Sequence, residues 1–97
     1  TVEIYYLESH GHKVLIHCKD QDLTLRMTIP EALEQLPKRC FASPHKSYLV
    51  NMEYIEILQY GKVRLKNSVE LPVSKNNYTE IKQQYISWRG GHRWNIG

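Results

Sequence analysis

Residues 13–19 constrain the fold more than any other stretch, because one set of alternate positions is wholly apolar and the other mostly charged or polar. Val14, Ile16 and Cys18 fall on one side, and Lys13, Leu15, His17 and Lys19 on the other. A two-residue period marks a strand with one buried face; wound as a helix, the same side chains would scatter around the axis. The neighbouring segments extend the pattern. Residues 2–7 are β-branched and aromatic with apolar side chains on both faces, which predicts a central strand covered on both sides. Ser9-His10-Gly11-His12 reads as the loop joining these two strands. Asp20-Gln21-Asp22 reads as a turn, and residues 23–27 as the return strand of a hairpin. Residues 54–60, 62–66 and 69–73 repeat the pattern, with turns at Tyr60-Gly61 and Asn67-Ser68. Val63, Leu65, Val69, Leu71 and Val73 point inward, while Lys62, Arg64 and Lys66 face out.

Two helices interrupt the strands. Thr28-Ile29-Pro30-Glu31 has the form of a capping box, with Pro30 in the first turn where its missing N–H does no harm. Ala32, Leu33 and Leu36 then give a short amphipathic helix that Pro37 stops. Lys38 and Arg39 at its exit suit the negative end of the helix dipole. Ser74 is placed to cap a closing helix, in which Tyr78, Ile81, Tyr85 and Ile86 recur at helical spacing. Beyond Trp88 the periodicity breaks at Arg89-Gly90-Gly91, so residues 87–97 are expected to fray or to pack by Trp94 alone. Strand segments outnumber helices by roughly seven to two, which makes the fold mainly β. Periodicity alone allows a sandwich or a barrel.

Ninety-seven residues suffice for one domain with a single core. The net charge of +3 is compatible with a nucleic-acid partner if the cations cluster on one face. Cys18 and Cys40 form no metal or redox motif and are expected to be buried thiols, which suits a cytoplasmic protein. There is no leader and no long apolar span, so no membrane insertion is expected of this stretch. A chain that begins at Thr1, directly in a strand, is read as a piece of a longer protein. Five histidines and ten carboxylates could furnish an enzyme, yet HExxH, paired CxxC, a Gly-rich phosphate loop and a nucleophile elbow are all missing. His10-x-His12, with His17 and Cys18 nearby, reads as solvated side chains and not as a zinc site. Neither catalysis, a metal nor a cofactor is expected.

Residues 41–51 read Phe-Ala-Ser-Pro-His-Lys-Ser-Tyr-Leu-Val-Asn. Pro44 pushes Ser43 out of the helical region and cannot donate to a ladder, so His45, Lys46 and Ser47 should sit on a bend or strand edge, facing outward. A cation, an imidazole and a hydroxyl on one rim suit phosphate and base-edge contacts. Two other segments carry donors at strand ends: His10, His12 and Lys13 in one, and Ser74-Lys75-Asn76-Asn77 in the other. Loops held by a rigid sheet can enter DNA grooves as helices do in commoner modules.

The 41–51 stretch resembles the central motif of the LytTR family of DNA-binding response-regulator domains, in which a Phe precedes a His–basic/polar–Ser–aromatic–Leu–Val–Asn run. Phe41, His45, Lys46, Ser47, Tyr48, Leu49, Val50 and Asn51 fill those positions. Ile4, Tyr6, Leu7 and Glu8 match the family's first strand, and the resemblance covers roughly residues 2–86. It implies an elongated β-sandwich of small antiparallel sheets, with one short internal helix and a C-terminal helix. It also implies double-stranded DNA as partner, with loops laid in successive major grooves and two copies on paired direct repeats. By position, His12, Lys46 and Lys75 would read bases, while Lys13, His45, Ser47 and Asn76 would hold phosphates or support them. Family members often carry Asn or Arg where Lys46 stands and Arg where Lys75 stands; lysine lacks arginine's bidentate fork. The common family architecture adds an N-terminal receiver domain, as in two-component regulators of bacteria. The outward triad Lys62, Arg64 and Lys66 reads first as a solvated strand face. The alternative function is a protein-interaction module of the same fold that binds no DNA.

Overall fold

The structure, a computed structural model, describes the backbone of residues 3–37 and 39–93, and side chains among these up to Gly90. Strands β1 (Ile4–His10), β2 (Lys13–Cys18) and β3 (Asp22–Leu25) form a meander, followed by helix α1 (Ile29–Glu34). The hairpin β4 (Phe41–His45) and β5 (Tyr48–Asn51) comes next, then a 3-10 turn at Met52–Tyr54. Strands β6 (Ile55–Gln59), β7 (Lys62–Leu65) and β8 (Glu70–Pro72) precede the long helix α2 (Lys75–Arg93). The first five strands make one antiparallel sheet in the order β3-β2-β1-β5-β4, and the last three a second sheet in the order β6-β7-β8.

The central strand β1 is covered on both sides, as its composition predicts. It is the bulge at Tyr5 that makes this possible. Ile4 pairs with Cys18 and Tyr6 with His17, so Tyr5 is an extra residue on β1. Ile4 and Leu7 therefore share one core with Val14, Ile16, Phe41, Leu49 and α1, while Tyr5 and Tyr6 pack on the other. That second core lies between β4–β5 and the three-stranded sheet, and α2 closes it. Leu49 and Val50, adjacent and fully buried, serve opposite cores. Truncating Leu49 to alanine would cost about 2–5 kcal/mol.

The capping box forms as expected: the Glu31 N–H donates to Thr28 Oγ1 at 3.2 Å, and the Thr28 N–H to Glu31 Oε1 at 2.8 Å. Residues 41–45 form a strand on the sheet edge and Lys46-Ser47 the turn that follows, in keeping with the bend or edge expected after Pro44. Pro44 is tolerated because β4 is an edge strand and bulges there, Ser43 and Pro44 together standing opposite Leu49. The β6 strand starts at Ile55, not Tyr54, because the Asn51 Oδ1 accepts from the Glu53 N–H at 3.0 Å and winds a 3-10 turn. Helix α2 runs on through Gly90 to Arg93, past the expected break after Trp88; Trp94 lies outside the described residues. Its packed stripe is Tyr78, Ile81, Tyr85 and Trp88, with Ile81 buried and the other three partly buried, whereas Ile86 is 58% exposed. Finally, Cys18 is buried, but Cys40 is partly exposed, and both are free thiols. Burial pushes the Cys18 thiol pKa up, with a smaller contribution from Asp22.

Candidate nucleic-acid interface

Antiparallel pairing of β1 with both β2 and β5 decides which turns become neighbours. His10 pairs with Lys13 and Glu8 with Tyr48, so the β1–β2 and β4–β5 turns emerge at the same end of the sheet. The Ser9 N–H donates to the Ser47 carbonyl at 2.7 Å, joining the two hairpins. The start of α2 is tied to the same region. The Ser74 N–H donates to the Pro44 carbonyl at 2.9 Å, and Asn77 Nδ2 to the Ser43 carbonyl at 3.2 Å. Three segments far apart in sequence thus form one continuous edge.

The first turn is tighter than the expected four-residue loop. Ser9 and His10 belong to β1, leaving Gly11 and His12 to turn the chain. Gly11 has φ +67° and His12 does not have positive φ, which is the type II′ arrangement that needs glycine first. His10, His12 and Lys13 are all exposed.

The second turn, Lys46-Ser47, has no positive φ at either residue, a geometry that tends to splay a hairpin. Side chains hold it closed. The Ser43 hydroxyl lies 3.0 Å from the His45 carbonyl and 3.2 Å from the Tyr48 carbonyl, and can donate to either. The Ser47 N–H donates to His45 Nδ1 at 3.2 Å. Nδ1 must therefore carry a lone pair, and neutral His45 has its proton on Nε2. His45 and Ser47 are half-buried in these duties, while Lys46 is exposed.

At the third segment, Lys75 and Asn76 are exposed. Ser74 makes no capping bond with its hydroxyl among the described residues; its carbonyl accepts the Asn77 and Tyr78 N–H groups at 3.0 and 3.1 Å. No acidic residue occupies the first turn of this helix. Lys75 thus sits at the positive end of a long helix dipole, an unfavourable place for a cation and a favourable one for an anion that approaches it. Residues 9–13, 45–47 and 74–77 contain no Asp or Glu, although the chain has ten.

The other candidates are engaged elsewhere. His17 Nε2 lies 3.1 Å from Glu8 and its Nδ1 3.4 Å from Asp22, with its ring stacked on Tyr6 at 4.3 Å. No group of three or more His, Cys, Asp or Glu among the described residues is arranged to hold a metal. Lys62 meets Glu70 at 3.4 Å and Arg64 meets Glu56 at 3.8 Å, as a solvated strand face would. Sequence reasoning missed Ser43 and Asn77, whose side chains set the turn and the helix start. It also missed the second role of Asn51, whose Nδ2 donates to the Ile4 carbonyl at 2.8 Å and fastens β5 to β1. Ser-Pro and Asn-Asn beside donor-rich turns were the available signals.

The profile of the LytTr DNA-binding domain family matches residues 1–86. The chain belongs to the LytTR family. The LytTR domain is 29% identical over 87 residues to the transcriptional regulatory protein YpdB of Escherichia coli K12, and equally to YpdB of Shigella flexneri. Each match covers 84% of this chain and 36% of the relative, so the domain spans about a third of those proteins. Its fold is that of the LytTr DNA-binding domain of a Bacillus cereus protein described as a methyl-accepting/DNA response regulator. The TM-score is 0.74 at 22% identity, covering 87% of this chain and 81% of the other. Membership makes this LytTR domain a DNA-binding module. No helix of the described residues is long and apolar enough to cross a membrane.

Proposed function

We propose that this domain binds double-stranded DNA sequence-specifically by laying the β1–β2 turn, the β4–β5 turn and the start of α2 along successive grooves. It would do so as the output module of a cytoplasmic bacterial two-component regulator that carries a receiver domain. The observation that carries the reading is the pair of backbone hydrogen bonds, Ser9 to Ser47 and Ser74 to Pro44, which unite three basic, acid-free segments into one edge.

Within that edge, His12, Lys46 and Lys75 read bases; the two lysines donate to guanine O6 and N7 as point charges, without arginine's fork. Lys13, Ser47 and Asn76 meet phosphates, and His45 offers its Nε2–H while its Nδ1 holds the turn. Two copies on paired direct repeats would double the contact. Selection from random duplexes tests the proposal, followed by a salt titration of the enriched sequence. With about five phosphates neutralised, log K falls against log salt with a slope near −4 to −5. Failure to enrich any sequence, together with a slope near zero, would overturn it.

A further inference from the structure

The edge of the five-stranded sheet opposite β4 is strand β3, which has a neighbour on one side only. Its register shows which backbone groups are free. The Cys18 N–H donates to the Gln21 carbonyl at 2.9 Å, so Cys18 and Gln21 form a hydrogen-bonded pair. Antiparallel pairs alternate, which makes Ile16/Leu23 and Val14/Leu25 the next hydrogen-bonded pairs. Asp22 and Thr24 therefore turn their N–H and C=O groups away from β2, toward open solvent. All four residues of β3 are exposed, and Leu23 and Leu25 are 38% and 43% exposed on the face shared with Val14 and Ile16. Neither proline nor lysine, the usual guards of a sheet edge, occurs between Asp22 and Met27.

The sequence of this edge is complementary to itself. Residues 22–26 read Asp-Leu-Thr-Leu-Arg, symmetric in shape about Thr24 and opposite in charge at the two ends, with Arg26 at a bend just past the end of β3. Laid antiparallel against a second β3 about Thr24, each Leu23 meets Leu25 of the second copy, and each Asp22 meets Arg26. The Thr24 amides, which point outward, then exchange both hydrogen bonds across the axis. A register centred on Leu23 or Leu25 would present inward-turned amides and lose both charge pairs.

We propose that β3 is a self-pairing edge, through which two copies of this chain join their sheets into one of ten strands. Opposite charges and apolar side chains set directly across antiparallel strands favour the pair, and like charges oppose it. The two-fold axis runs through the sheet, so strand direction reverses between the copies and their β1–β2 turns lie at opposite ends. Such a pair presents two DNA edges pointing apart, which suits it to holding two duplexes together. Copies on direct repeats are related by translation instead, so their β3 edges stay available for this contact. The bridging role, unlike the self-pairing, rests on the DNA reading above.

Sedimentation equilibrium of the chain up to about millimolar concentration tests the pairing, since a short interface of this kind is weak. The wild type self-associates, and Asp22→Arg and Arg26→Asp each weaken association about tenfold by facing like charges. Mixing the two variants restores association, because each Asp22/Arg26 position across the axis is then again opposite in sign. Thr24→Pro, which removes an outward N–H and no bond to β2, abolishes association while circular dichroism shows the fold retained. A wild type that stays monomeric, or a mixture that associates no better than its components, overturns the proposal. A second arm asks whether an immobilised duplex captures a labelled second duplex through wild type but not through Thr24→Pro. Self-association without capture would refute the bridging role and leave the self-pairing standing.

Discussion

The Ser9 N–H and the Ser47 carbonyl, 2.7 Å apart, connect two hairpins whose turns are more than thirty residues apart in the chain. The bond joins the strand just before the first turn to the second turn itself, so neither can tilt without straining the other. On the far side of the β4–β5 hairpin, Pro44 and Ser43 hold the start of α2 by backbone and side-chain hydrogen bonds. The edge is built as a row of coupled parts, which the proposed reading of successive grooves would need, because small misplacements forfeit base contacts.

Asn77 tests this coupling. Its Nδ2 bond to the Ser43 carbonyl is a single side-chain link between α2 and β4. Asn77→Ala should lower stability by about 0.5–1.5 kcal/mol, the ordinary worth of one hydrogen bond, measured by urea denaturation. Affinity for a selected duplex should fall further than affinity for a scrambled one, since Lys75 is no longer held in position. Equal losses on both duplexes would mean that α2 contributes attraction without positioning.

Lys75 should show opposite effects on folding and binding. A cation at a helix N-terminus opposes the dipole, so Lys75→Ala should stabilise the free domain by about 0.3–1 kcal/mol at low salt. The same change, and Lys46→Ala, should each weaken specific binding by about 1–3 kcal/mol with less effect on nonspecific affinity. Lys62→Ala should act mildly and uniformly across sequences, because Lys62 already answers Glu70 at 3.4 Å. Melting curves and anisotropy titrations on matched and scrambled duplexes read both effects.

What the sequence made legible was local. The alternation of Val14, Ile16 and Cys18, the Thr28–Glu31 capping box and the inward Val63 and Leu65 each reside in a few adjacent residues, and each stands as expected. Pairing of β1 with β5 was not legible, because two compatible periods do not say which strands meet. Nor was the bulge at Tyr5, although Ile-Tyr-Tyr-Leu needs one to send Ile4 and Leu7 to the same core. The end of α2 was misplaced because paired glycines usually stop a helix, whereas here Trp88 continues the packed stripe up to Gly90 and Gly91. The candidate site residues were visible singly; that they share an edge followed only from register.

Far from the candidate edge, Glu3 and Tyr54 give a pH signature. The Tyr54 hydroxyl donates to the Glu3 carboxylate, which lowers the Glu3 pKa, with help from Lys19, and pushes Tyr54 up to about 12. A raised tyrosine stabilises the fold below its unfolded value near 10, and that contribution fades as pH rises toward 12. A lowered carboxylate works the other way: its contribution is present above the ordinary 4.5 and fades as pH falls through the folded value. The stability effect is small because the pair is exposed and screened. The titration is clearer: Glu3→Gln should return one tyrosine to near 10 in ultraviolet difference spectra, and Tyr54→Phe should remove that same transition. An unchanged tyrosine titration in Glu3→Gln would show that the bond is not populated in solution.

His45 has two nitrogens with separate duties, and substitutions can separate them. Nδ1 accepts the Ser47 N–H at 3.2 Å and so helps close a turn whose backbone does not favour closure. Nε2 then carries the proton and is the donor that the proposed DNA contact would use. Asparagine places an amide oxygen near the Nδ1 position, so His45→Asn should keep the turn and lose the contact. Glutamine reaches the Nε2 position with a donor and leaves Ser47 without its acceptor, so His45→Gln should do the reverse. The expected pattern is near-wild-type stability with weakened binding for His45→Asn. For His45→Gln it is a loss of about 0.5–1.5 kcal/mol in stability with binding better preserved. Nitrogen NMR of the wild type should report the Nε2–H tautomer, the state in which Nδ1 can accept. An Nδ1–H tautomer, or variants that lose stability and binding in equal proportion, would show that the imidazole does not divide its work in this way.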